Sequence, residues 1–165
     1  MKKRLGKFIR ESAVTLLIAV GVMTAYNLYL QRNMPSGDVP VLTGITLDDS
    51  RFNLDAASED ETVLVYFWAS WCSVCRVVSP SVSDIASDYP VISVALASGN
   101  DDRVSRYLAA HQLEFATMND ESGRLSREWG VQATPAFVIV KNGEIRSVTT
   151  GYTTGLGLRL RMMLL

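Results

Sequence analysis

Apolar residues run almost unbroken from Ala13 to Leu30, where Asn27 is the one strongly polar side chain. A helix of that length spans about 27 Å at 1.5 Å per residue, close to a hydrocarbon core of roughly 30 Å. It is apolar on every face, which a half-buried surface helix is not. Basic residues precede it, so the N-terminus (1–12) is expected in the cytoplasm and the rest of the chain across the membrane. Tyr26 and Tyr29 fall where an interfacial aromatic belt would lie. A cleaved signal peptide fits less well, because too few apolar residues precede the small-x-small pattern at Ala19-Val20-Gly21. The stretch 13–30 therefore reads as a retained transmembrane anchor.

After the anchor the pattern changes. Residues 31–40 hold two prolines, a glycine and polar side chains, and read as a linker. Val41–Thr46 and Arg51–Leu54 form an expected hairpin around Asp48-Asp49-Ser50, and Asp55–Glu61 is a loop or short helical turn. Thr62–Ala69 is a run of β-branched and aromatic residues, the mark of a strand buried on both faces. Ser73–Ser87 has helical spacing of Val74, Val77, Val78, Val82 and Ile85, with a kink expected at Pro80. Val91–Ala97 is a second buried strand, Asp101–His111 a helix, and Phe115–Met118 a short strand. Ser122–Trp129 is a short helix stopped by Gly130. Ala136–Val140 and Ile145–Thr149 flank Asn142-Gly143, a hairpin signal, because both turn residues tolerate positive φ. Gly155–Leu165 closes the chain as a helix. Alternation followed by a terminal hairpin implies an α/β fold of residues 41–165, a mixed sheet with helices on both faces.

Charge sharpens this division. The net charge is −1, but residues 1–32 carry six basic side chains against one acid, Glu11. The remaining ten basic and sixteen acidic residues leave the domain at −6. Nucleic-acid binding rests on phosphate neutralisation, so a domain with this balance is a poor candidate for it and no nucleic-acid partner is expected.

The chain has two cysteines, Cys72 and Cys75, three residues apart. A disulfide scaffold needs more of them, and a structural zinc site needs four Cys or His ligands, whereas His111 is the single histidine. The pair therefore points to redox chemistry. A thiolate attacks disulfides, and the start of a helix stabilises negative charge through unpaired N–H groups and the macrodipole. Cys72, at a strand-to-helix junction, is the expected nucleophile with a lowered pKa. Cys75, one turn on, is placed to resolve the mixed disulfide. Trp71 and Trp68 would shield the site from one side.

The run Val63-Leu64-Val65-Tyr66-Phe67-Trp68-Ala69-Ser70-Trp71-Cys72-Ser73-Val74-Cys75 resembles the active-site strand and helix of the thioredoxin superfamily. Pro80 matches its helix proline, and Ala133-Thr134-Pro135 its cis-proline segment. That resemblance implies a thioredoxin-like sheet with an N-terminal β-hairpin extension. It also implies that Trp71, Thr134 and Pro135 contact the substrate, with the Thr134 backbone pairing like an added strand. The leading hairpin and the run from Asn119 to Val131 resemble membrane-anchored TlpA-like proteins. The short anchor and the Cys-Ser-Val-Cys centre are most similar to the ScsD-like group, the suppressor-of-copper-sensitivity D proteins. The group implies a periplasmic oxidoreductase in the bacterial inner membrane. Its partners are protein thiols or disulfides and a membrane reductant donor of the DsbD/ScsB type. No cofactor is implied beyond the Cys72–Cys75 pair, and copper tolerance comes with the group.

Two departures stand out. Tyr66 replaces the buried aspartate of thioredoxin, and Ala136 replaces the glutamate of cytochrome-maturation relatives. Glu121 and Glu128 could supply a proton acceptor but read first as solvated helix residues. His111 reads as a helix-end residue, and Met162 and Met163 as an apolar helix face. The leading expectation is protein disulfide exchange, in a reducing direction. A Cu(I)-handling thiol module and a cytochrome-maturation reductant stay open beside it.

Overall fold

A computed structural model describes residues 2–37 and 39–165, with side chains described from residue 10 onward. Met1, in the expected cytoplasmic segment, and Asp38, in the expected linker, lie outside the described residues, as do the side chains of Lys2, Lys3, Arg4 and Lys7.

Helix α1 runs Lys2–Gln31, and within it Arg10–Gln31 is long and apolar enough to cross a membrane. Arg32 stacks on the Tyr29 ring 3.9 Å from its centroid, at the end where a membrane–water interface would fall. Strands β1 (Thr43–Ile45) and β2 (Arg51–Asn53) form the expected hairpin as a separate two-stranded antiparallel sheet. Asn53 then accepts the N–H groups of Asp55 and Ala56, so the chain turns at once into helix α2 (Leu54–Asp60).

The main sheet has five strands: β3 (Val63–Trp68), β4 (Val91–Leu96), β5 (Ala116–Asp120), β6 (Ala136–Lys141) and β7 (Glu144–Thr150). Their spatial order is β5-β4-β3-β6-β7. β3 and β4 are parallel, as are β4 and β5, while β6 runs antiparallel to both β3 and β7. Central β3 is buried along its whole length, which explains its unbroken apolar run. Leu64, Tyr66 and Trp68 face one core with helices α3 (Ser73–Ala86), α4 (Asp101–Ala110) and α6 (Gly155–Leu164). Val63, Val65 and Phe67 face a second core with Leu54 and Ala57 of α2, Leu125 of α5 (Arg124–Glu128) and Trp129. Helices therefore cover both faces.

Boundaries shift by a residue or two for identifiable reasons. β4 ends at Leu96 because Ala97 turns to φ 44°. β5 extends to Asp120 because it pairs with Leu96. α3 continues through Pro80 to Ala86.

Residues 31–40 are tied to the domain. Met34 is buried in the second core, its N–H donates to the Gln31 carbonyl at 2.9 Å, and the Ile145 N–H donates to the Gly37 carbonyl at 2.9 Å. Gly130 sits at φ +63°, and a Cβ there would meet the Asn33 carbonyl oxygen at 1.9 Å. Glycine is thus needed at this position for close approach as well as for backbone angle.

Candidate active site

The site begins where β3 ends. Ala69 and Ser70 carry the chain out of the sheet, and the Cys72 N–H donates back to the Ala69 carbonyl at 3.1 Å. Cys72 is the N-cap of α3, and its Sγ accepts from the Cys75 N–H at 3.1 Å. The two cysteines form a disulfide with Cα atoms 5.2 Å apart. Cys72 retains 7% exposure, whereas Cys75 is fully buried. One sulfur therefore faces outward beside a helix N-terminus, and the other lies behind it in the core. The first turn of α3 carries no acidic residue to offset the positive end of the helix.

The second wall comes from the far side of the fold. The Thr134–Pro135 bond is cis, and the Thr134 carbonyl oxygen lies 3.6 Å from Cys72 Sγ. Pro135 is buried, and its own carbonyl accepts from the Gly151 N–H at 2.8 Å, which ties this loop to the end of β7. The structure thus brings Cys72, Cys75, Thr134 and Pro135 together, Cys72 and Thr134 being 62 residues apart in sequence.

Trp71 is 64% exposed, so it flanks the site from solvent. Its Nε1 donates to the Ala97 carbonyl at 3.1 Å, and the Ser70 N–H donates to Ser98 Oγ at 2.9 Å. The turn after β4 therefore holds the loop before Cys72. Ala97 is itself held, its N–H donating to the Asp120 carbonyl at 2.9 Å. The two carboxylate oxygens of buried Asp120 accept the N–H groups of Leu125 at 3.1 Å and Ser126 at 2.7 Å, capping α5. Ala97, Ser98 and Asp120 escaped the sequence reading, because nothing local marks a residue whose role is to meet a loop 26 positions away.

Trp68 does not reach the surface to shield the disulfide. It is fully buried, with Nε1 donating to Ser93 Oγ at 3.0 Å. Its burial agrees with the reading of this strand as buried on both faces, which left no room for Trp68 to act as a surface shield.

Beneath the pair, Tyr66 stands where thioredoxin has its aspartate. It is fully buried, stacked on Phe137 with centroids 5.0 Å apart, and its hydroxyl shares a 2.9 Å hydrogen bond with Ser79 Oγ of α3. Burial pushes the phenol well above its ordinary value, so it stays neutral. Among the described residues, Asp120 is the buried acid, and its oxygens are spent on α5. Glu121 and Glu128 are exposed, and Glu128 pairs with Arg124 at 2.7 Å. His111 is an exposed cap of α4 stacked on Tyr107. Met162 is in the core while Met163 faces out.

A thioredoxin-like sheet with a Cys-x-x-Cys disulfide at the end of its central strand defines a thiol–disulfide oxidoreductase. The chain belongs to the Redoxin family, whose profile matches residues 31–156. It is 32% identical over 157 residues to a thioredoxin-like protein of Haemophilus influenzae, covering 94% of each chain. It is 24% identical over 172 residues to the thiol-disulfide oxidoreductase ResA of Oceanobacillus iheyensis, covering 93% of this chain and 86% of that one. The fold superposes on StoA from Bacillus subtilis with a TM-score of 0.65 and 22% identity, over 74% of this chain and 96% of that one.

Proposed function

We propose that the chain is a single-pass protein of a bacterial inner membrane whose periplasmic domain reduces protein disulfides. The observation that carries the chemistry is the unequal placement of the two sulfurs. Cys72 keeps a narrow opening to solvent and its Sγ accepts the Cys75 N–H, whereas Cys75 is fully enclosed. In the reduced protein the Cys72 thiolate attacks a substrate disulfide, forming a mixed disulfide and releasing one substrate thiolate, which takes up a proton. Cys75, as thiolate, then attacks Cys72 Sγ. The second substrate sulfur leaves as a thiolate and takes up the proton that Cys75 gave up, and two electrons have passed from the pair to the substrate. Trp71 and the Thr134 backbone flank the approach, and Pro135 fixes the Thr134 carbonyl beside Cys72.

The basic N-terminus and Arg10–Gln31 support the membrane orientation. In that oxidising compartment a dithiol needs a supplied reductant, and a membrane thiol donor of the DsbD/ScsB type fits. The Cys-Ser-Val-Cys centre and short anchor favour the ScsD-like group and, with it, a part in copper tolerance. Ala136, where cytochrome-maturation relatives carry a glutamate, argues against a cytochrome-maturation role.

The test is trapping. Cys75→Ala should accumulate mixed disulfides through Cys72, which can be identified after non-reducing electrophoresis. Cys72→Ala should trap nothing and lose exchange. Retained exchange in Cys72→Ala would overturn the assignment. Direction is read from the equilibrium of the pair against glutathione, because a tenfold change in that ratio corresponds to about 30 mV.

A further inference from the structure

The turn that delivers Cys72 to α3 leaves one polar group to be met from elsewhere. The Cys72 N–H closes onto the Ala69 carbonyl, so Ser70 and Trp71 are the two central residues of the turn. The Ser70 N–H takes no part in that bond. Ser98 Oγ, from the turn after β4, supplies its acceptor at 2.9 Å. The Ser98 hydroxyl is itself aimed. It is 2% exposed and donates to the Leu96 carbonyl at 3.1 Å, which leaves its lone pairs for Ser70. The preceding residue holds the other central position, the Ala97 carbonyl accepting from the Trp71 indole at 3.1 Å. Two consecutive residues thus grip both central residues of the turn. Ala97 does so at φ 44°, outside the region an alanine prefers. It is held there by the Asp120 carbonyl on its own N–H and by Asn119 Nδ2 on the Gly99 carbonyl at 2.9 Å.

What the grip controls is the place of one sulfur. Cys72 Sγ lies between a donor, the Cys75 N–H at 3.1 Å, and an acceptor, the Thr134 carbonyl oxygen at 3.6 Å. In the reduced protein a thiolate is stabilised by the first and repelled by the second. A small shift of the turn decides which neighbour dominates.

We propose that Ser98 is a positioning residue for disulfide exchange. With the Ala97 carbonyl, its hydroxyl fixes the turn before Cys72, so that Sγ stays on the helix N–H and away from the Thr134 oxygen. The proposal rests on the reading of Cys72 as the attacking sulfur. Ser98 acts through the turn and not on the sulfur itself.

The experiment compares Ser98→Ala with Ser58→Ala in the full chain, in one detergent. Ser58 is a matched hydroxyl at the opposite end of β3. It is fully buried, accepts the Gly143 N–H at 3.3 Å and donates to the Asp55 carbonyl at 3.2 Å. Two quantities are read: the rate at which iodoacetamide alkylates the reduced protein at neutral pH, with the labelled cysteine identified by mass spectrometry, and the equilibrium of the pair with glutathione. In Ser98→Ala the alkylation of Cys72 should slow severalfold. The equilibrium should move severalfold toward the disulfide, because a less stabilised thiolate makes the reduced form less stable. Ser58→Ala should match the parent in both, since a loss shared by the two redox states cancels from their equilibrium. Values in Ser98→Ala equal to the parent's, or shifts that Ser58→Ala reproduces, would overturn the positioning role and leave Cys72 as the attacking sulfur. Alkylation at Cys75 in the parent would overturn the reading of Cys72 and this proposal with it. If Ser98→Ala does not fold, Trp71→Phe opens the same clamp from an exposed side chain. The same two shifts are expected there, and their absence would sink the proposal.

Discussion

Tyr66 tests the reasoning about the site most sharply. Its hydroxyl and that of Ser79 satisfy each other in the core at 2.9 Å. Tyr66→Phe leaves the Ser79 hydroxyl without this partner, and an orphaned buried hydroxyl costs about 1–3 kcal/mol. Pro80 brings no N–H to the Arg76 carbonyl, so Ser79 has an acceptor to turn toward, which puts the cost near the lower end, about 1 kcal/mol. For a domain of this size that lowers the melting temperature by roughly 3–5 °C. In the double variant with Ser79→Ala both partners are gone, and the combined loss should fall short of the sum of the single losses by about 1 kcal/mol. Thermal unfolding of all four proteins, oxidised and in one detergent, measures this. Strict additivity would refute the pairing. The second half of the prediction is kinetic. A phenol held neutral by burial cannot take the proton of Cys75, so the pH dependence of mixed-disulfide resolution should be the same in Tyr66→Phe. A shifted profile would refute that. The linkage sign follows from the raised value. The stability this group adds is present below the ordinary phenol value near 10 and is lost as pH rises toward the folded value. Tyr66→Phe should therefore unfold less readily in alkali, relative to neutral pH, than the parent.

Gly130→Ala forces a side chain into the Asn33 carbonyl at positive φ, and should cost on the order of 2 kcal/mol while speeding proteolysis within 31–40. Asp120→Ala removes both caps of α5 and should lower stability by about 1–2 kcal/mol, read from urea midpoints. Trp71→Phe loses the bond to Ala97 on an exposed side chain, so unfolding should be almost unchanged while exchange with protein substrates slows; unchanged exchange would remove Trp71 from the site.

What the chain determined alone is local in origin. An apolar stretch long enough for a bilayer, a strand of unbroken β-branched and aromatic residues, Asn142-Gly143 at φ 55° and 69°, and two cysteines one helical turn apart each follow from short-range chemistry. These were enough to place the long apolar helix, the order of elements and the redox pair. Tertiary structure decided the rest. It set Thr134 against Cys72, tied Trp71 to Ala97 and Ala97 to Asp120, and drew the segment after α1 down onto Gly130. Each of these joins residues distant in sequence, and their geometry exists only once the sheet has closed. The two cysteines were legible from the start. The neutral Tyr66–Ser79 pair beneath them, where an acid was missing, became a defined environment only when α3 packed on β3.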